Sequence, residues 1–182
     1  MIHPIVITGE PVLHTPATPV TVFDQGLADL VADMYETTVA APGVGLAAPQ
    51  IGIGKQIFVW VYDKQEGIPP RGAAINPRLF IEPIQPGTPT LEDREGCLSF
   101  PDEKFALLRS PRAILRAQDV TGAHYELEAS GWFARILQHE YDHLQGTLYV
   151  DRLTGSDAET VSDITRERSW GRPGLSWMPT DS

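Results

Sequence analysis

A chain of 182 residues with 42% hydrophobic and 21% charged residues matches one globular domain that needs no covalent staples. Its formal net charge of −10 excludes broad binding of a phosphate backbone, which relies on clustered Lys and Arg, so no direct nucleic-acid site is expected. Apolar runs such as 57–61 are far shorter than the roughly 20 residues of a membrane-spanning helix, and a single cysteine excludes an intrachain disulfide.

Residues 1–10 lack the basic start and apolar run of a secretory signal, so a cytoplasmic address with no membrane partner is expected. Residues 24–41 read as an amphipathic helix: Leu27, Leu30, Val31 and Met34 recur at helical spacing, Asp24 is a candidate N-cap, and Pro42-Gly43 ends the segment. Pro49, Gly52 and Gly54 make 46–54 a loop. Residues 56–63, rich in Phe, Val, Trp and Tyr, read as a strand, and a polar loop follows over 64–72. Residues 73–82 look extended with an interruption at Pro77, and 83–89 form another loop. Segments 112–119 and 123–128 read as a hairpin turning at Thr121-Gly122.

Ser130 is a candidate cap for a second helix that runs to Leu144 and stops at Gly146. Trp132, Phe133, Ile136, Leu137, Tyr141 and Leu144 spread its apolar surface over more than one face, the pattern of a buried helix. A short strand over 147–150 and a weak helix over 156–169 follow. No repeat or linker divides the chain. The expected fold class is α+β: a single small domain over 1–170, with mixed or antiparallel sheets around a central buried helix, and an irregular C-terminal tail over 171–182.

The second helix carries His139-Glu140-Tyr141-Asp142-His143, the pattern H-E-x-x-H. Positions i and i+4 stand one above the other on a helix, so both imidazoles can reach one ion, and Glu140 beside the first can face an activated water. Random placement of the five His and twelve Glu present gives this pattern on the order of once in a hundred such chains. As ordinary core residues without partners, these three ionisable groups would be costly to bury.

Two imidazoles leave a tetrahedral site incomplete. The extended zinc-peptidase pattern H-E-x-x-H-x-x-G-x-x-H is matched at Gly146 but meets Tyr149 at its last position. Glu159 or Glu167 could supply a carboxylate from a weakly patterned segment. Cys97, within Glu95-Gly96-Cys97-Leu98-Ser99, could supply a thiolate, and spacing alone does not bring it to the helix. The segment from Gly43 to Ala48 also matches the dinucleotide fingerprint G-x-G-x-x-A. A helix precedes it and Pro49, Gly52 and Gly54 deny a helix after it, so the cofactor reading fails on context.

Three segments occur together and in order: Gly43-Val44-Gly45-Leu46-Ala47-Ala48-Pro49-Gln50, Glu95-Gly96-Cys97-Leu98-Ser99 and Gln138-His139-Glu140-Tyr141-Asp142-His143. In this the chain resembles the peptide deformylase family, from about Ile5 to Leu153. The resemblance implies a metal-dependent hydrolase that removes the N-formyl group from the initiator methionine of nascent polypeptides and releases formate. It implies one divalent metal ion per chain, ferrous iron in the usual physiological form with zinc, nickel or cobalt able to replace it, held by Cys97, His139 and His143. Glu140 is then the general base and acid, and Gln50 with the Leu98 N–H polarises the substrate carbonyl. Gly43, Val44, Gly45 and Gly96 flank the peptide, and Val44, Trp132 and Ile136 are candidates for the methionine pocket. The implied partners are N-formylmethionyl peptides, including nascent chains at the ribosome. Two rival readings are a zinc endopeptidase with a Glu third ligand and a non-catalytic metal-binding protein.

Overall fold

Three helices and nine strands assemble around the segment 131–144, in a computed structural model that describes residues 1–179. Five antiparallel strands form the main sheet in the order β2 (Gly45–Ala47), β3 (Ile57–Val61), β4 (Arg71–Ile81), β7 (Arg112–Gln118) and β8 (His124–Ser130). Two small antiparallel ribbons complete the architecture. One pairs β1 (Ile5–Val6) with β9 (Ser176–Trp177), and the other pairs β5 (Arg94–Cys97) with β6 (Phe100–Ala106).

The first helix, α1 (Gln25–Ala40), begins where Asp24 accepts a hydrogen bond from the Leu27 N–H at 3.1 Å, satisfying one orphan donor of the first turn. Its apolar stripe of Leu27, Val31 and Met34 packs on β3 residues Ile57 and Val59. The opposite face of β3, with Phe58 and Trp60, meets Phe133 and Leu137 of α2 (Gly131–Leu144). A strand buried on both faces reads as a continuous apolar run, which is why 57–61 carries no alternation. The Phe133 ring stacks on Tyr62 at 5.7 Å and meets Trp60 edge-on at 5.7 Å, which fixes the rotation of α2 about its axis.

Several expectations change in three dimensions. The segment expected as a loop at 46–54 contains β2 and a 3-10 turn (Ala48–Ile51), because pairing with β3 gives the Gly45–Ala47 backbone its partners. β4 passes through Pro77 without a break. Its register with β7 shifts between Ile75 and Arg78, and such a bulge tolerates a residue with no N–H. Asn76 occupies the left-handed region there (φ 50°) and bonds the Val20 N–H, the Val20 carbonyl and Gln118. Ser130 stands at the N-cap position of α2 but makes no side-chain cap bond. The strand expected over 147–150 is replaced by a 3-10 turn (Tyr149–Arg152), with the Leu148 N–H bonded to Asp151. The third helix, α3 (Gly155–Glu167), matches expectation. Within the tail expected to be irregular, 176–177 pair with β1 as β9, while 180–182 lie outside the described residues. No helix among the described residues is long and apolar enough to cross a membrane.

Candidate metal centre

β5 turns alternate residues inward, so Glu95 and Cys97 are buried and share one side of the strand. On α2, His139 and His143 stand one turn apart with ring centroids at 5.1 Å. The Cys97 Sγ lies 3.3 Å from His143 Nε2. One donor atom from each of Cys97, His139 and His143 lies within 4.8 Å of the other two, and all three residues are buried. Among the described residues this is the sole cluster of that kind. One thiol and two imidazoles converging at this spacing suit a single divalent transition ion and leave a coordination position open.

The charges around the cluster favour that use. His143 is pushed well below its ordinary range, by burial first and by neighbouring His139 next, which keeps it the neutral imidazole that a metal requires. Burial opposes a charge on His139 as well, but Cys97 and Glu95 outweigh it and raise its proton affinity. Glu95 Oε1 lies 3.2 Å from His139 Nδ1 and fixes the ring so that Nε2 is left for an ion. Burial disfavours the Glu95 carboxylate, yet hydrogen bonds from His139 and Arg109 hold it well below the usual carboxylate range.

Arg109 bonds Glu95 Oε1 at 2.6 Å and Asp142 Oδ2 at 2.6 Å, and Arg152 closes on Asp142 at 2.5 Å. Arg135 adds a contact to Glu95 at 3.2 Å. Glu95, Arg109 and Asp142 were not legible as functional in the sequence. The signal for Glu95 was its position two residues before Cys97 on a strand. For Asp142 it was membership of the helix face beside His139. Arg109, in an unpatterned stretch, carried none.

Glu140 is buried against the same cavity, and burial raises its carboxyl to about 7. Its Oε2 and His143 Nδ1 are buried without a hydrogen-bond partner among the described residues, and a lone buried carboxylate oxygen is costly unless a water or ligand meets it. Gly45 makes room for this side chain: a Cβ there would meet Glu140 Oε1 and stand 2.8 Å from its Cδ. Gln50, in the 3-10 turn after β2, accepts the Ala47 N–H on Oε1 at 2.8 Å. That bond turns its amide donor towards the cluster, 3.7 Å from Cys97 Sγ and 3.4 Å from Ser99 Oγ.

A cavity of about 400 Å³ opens beside these groups. Gly43, Val44, Gly45, Gln50, Gly96, Cys97, Leu98, Trp132, Ile136, His139 and Glu140 all line it, while His143 lies behind them with 1% exposure. Glu159 and Glu167 are exposed on α3 and are absent from the cluster, which removes the endopeptidase reading with a Glu third ligand. Trp177 also lines the cavity, from a segment that carried no sequence signal.

The sequence model described as polypeptide deformylase matches residues 2–159. The chain belongs to this family. The peptide deformylase of Tropheryma whipplei (strain TW08/27) is 47% identical to it over 192 residues, covering 99% of this chain and 94% of the relative. That of Mycolicibacterium paratuberculosis is 46% identical over 184 residues, covering 97% and 93%. The crystal structure of peptide deformylase from Thermus thermophilus superposes with a TM-score of 0.79 at 37% identity, covering 91% of this chain and 94% of that one. Family membership makes this chain an enzyme, which removes the non-catalytic reading. The deformylase fold is the small α+β domain described above, and the buried Cys-His-His cluster suits the family's metal dependence.

Proposed function

We propose that this chain hydrolyses the formyl amide at the N-terminal methionine of newly made polypeptides, releasing formate and a free amine, with Cys97, His139 and His143 holding one divalent ion. The observation that carries this reading is the convergence of those three donors with the unpartnered oxygen of Glu140 on one cavity. When bound, the ion supplies a strong Lewis acid that acidifies water and polarises the formyl oxygen. Glu140 takes the proton of the attacking water and delivers it to the departing amine nitrogen. Its raised proton affinity near neutral pH suits both directions of that transfer. The Gln50 amide and the Leu98 N–H donate to the carbonyl oxygen as negative charge develops on it.

The substrate reaches these groups as an extended strand. β2 ends the main sheet, so its outer edge, continued by Gly43 and Val44, can pair with peptide backbone short of the Ala47 N–H, which Gln50 takes, and Gly96 gives the backbone close access across the cavity. Val44, Trp132 and Ile136 receive the methionine side chain; Val44 and Trp132 stay 44% and 41% exposed for it to cover. The resident ion is ferrous iron by family resemblance, with zinc, nickel and cobalt as substitutes, and the site of action is the cytoplasm, on nascent chains.

Anaerobic purification, metal analysis and formate release from formyl-Met-Ala-Ser on the same sample test this reading. One ion per chain and stoichiometric formate are expected, with the ion lost in Cys97→Ala. A full metal complement in that variant removes Cys97 from the ligand set, and no formate from metal-replete protein overturns the activity.

A further inference from the structure

The turn that joins β5 to β6 consists of Leu98 and Ser99, and it follows directly on the Cys97 donor. The β5–β6 register shifts between Gly96 and Cys97, and beyond that shift the single pair Cys97 with Phe100 closes the turn. Both carbonyls of the turn are also held from outside. The Trp177 indole Nε1–H donates to the Leu98 carbonyl at 2.9 Å, and the Thr8 N–H donates to the Ser99 carbonyl at 2.9 Å.

Those two donors belong to one ribbon. Ile5 pairs with Trp177 and Val6 with Ser176 across β1 and β9. The Ile7 N–H donates to the Leu175 carbonyl at 2.9 Å, and the Gly171 N–H to the Thr8 carbonyl at 3.1 Å. The tail crosses directly over Gly9, where a Cβ would meet the Gly171 and Arg172 backbone. Trp177 packs beside Leu98 on the α1–β3 core and is itself a wall of the catalytic cavity. It lies beyond residues 2–159, to which the family match extends.

We propose that the β1–β9 ribbon is a clamp on the Leu98–Ser99 turn, and that Trp177 is a positioning residue whose indole N–H aims the Leu98 amide into the cavity. The Trp177 bond fixes the Leu98–Ser99 peptide plane on one side of the Leu98 Cα, while Cys97 is anchored by its pairing with Phe100 on the other, and between these two anchors the Leu98 N–H has little freedom to turn. An amide already aimed at the developing oxyanion needs no reorganisation during the reaction. This inference rests on the role given above to the Leu98 N–H.

The test compares wild type with Trp177→Phe and with a second form in which Trp177 is replaced by benzothienylalanine. That analogue keeps the fused rings and exchanges the N–H for sulfur. With formyl-Met-Ala-Ser, both are expected to lower kcat about tenfold, the scale of one positioning hydrogen bond, with KM changed by less than about twofold. Metal content and melting temperature of the analogue form stay at wild-type values. The Thr8 amide, bonded to the Ser99 carbonyl of the turn, exchanges with solvent about tenfold faster in both, while the Val59 amide of the core strand does not change. Wild-type kcat in the analogue form overturns the proposal, as does a fall in kcat that only tracks lost metal. If Trp177→Phe does not fold, the analogue form decides. If wild type releases no formate, the deformylase reading fails, and the Thr8 exchange rates alone decide whether Trp177 holds the turn.

Discussion

A Cβ on Gly45 would stand 2.8 Å from the Cδ of Glu140, so the absence of a side chain at position 45 is what lets the carboxylate occupy its place. The clash falls on the end of a flexible side chain and spares backbone, so relief by movement of Glu140 is structurally cheap. Gly45→Ala is therefore expected to leave metal content and melting temperature near wild type while lowering kcat by about 10² or more, since the proton shuttle is displaced. Steady-state kinetics with metal analysis checks this; wild-type kcat would show that Glu140 need not sit where Gly45 admits it.

Glu140→Gln keeps the shape of the side chain and removes its base. Turnover should fall to a trace with the ion retained. A second consequence concerns stability of the metal-stripped protein. The folded carboxyl is raised from 4.5 to about 7, so the fold favours its protonated form. The associated stability is fully present below pH 4.5 and is lost as pH rises from there through about 7. Glu140→Gln should thus raise the melting temperature of the stripped protein at pH 8 and leave it nearly unchanged at pH 4.5, a difference that calorimetry at the two pH values would measure. An equal shift at both pH values contradicts the buried ionisation.

Glu95 orients His139 and neutralises Arg109 and Arg135 in a buried network. Removing its charge leaves Arg109, only 5% exposed, with Asp142 as its remaining anion. Glu95→Gln is expected to cost about 3 kcal/mol of stability, as breaking a buried ion pair does, and to weaken metal binding about 10- to 100-fold. The Glu95 carboxyl lies well below its ordinary value, so this contribution is present above the unfolded value and disappears as pH falls well below it. Chemical denaturation and competitive chelation read the two effects separately.

Gln50→Ala removes the amide proposed to donate to the developing oxyanion. The expected loss is about 10²–10³ in kcat with a small change in KM, measured on formyl-Met-Ala-Ser. A change confined to KM would make Gln50 a binding residue alone.

Features that depend on neighbours along the chain were legible before any coordinates. The 3.6-residue period put His139, Glu140 and His143 on one helix, and the Asp24 cap and Pro42-Gly43 stop bounded α1 closely, because helix signals are local. The β7–β8 hairpin was legible for the same reason, with its turn residues written between two alternating runs. Packing in three dimensions was needed to bring Cys97 to His143, 46 residues away, to close Arg109 on Glu95 and Asp142, and to pair two residues of the tail with β1. A two-residue strand has no period to recognise, and β2 and the bulged β5–β6 ribbon exist only because other strands satisfy their backbone groups. The motif thus put two candidate ligands on one helix and the resemblance named Cys97 as the third, while the meeting of the three, and the charges around them, came from packing between segments distant in sequence.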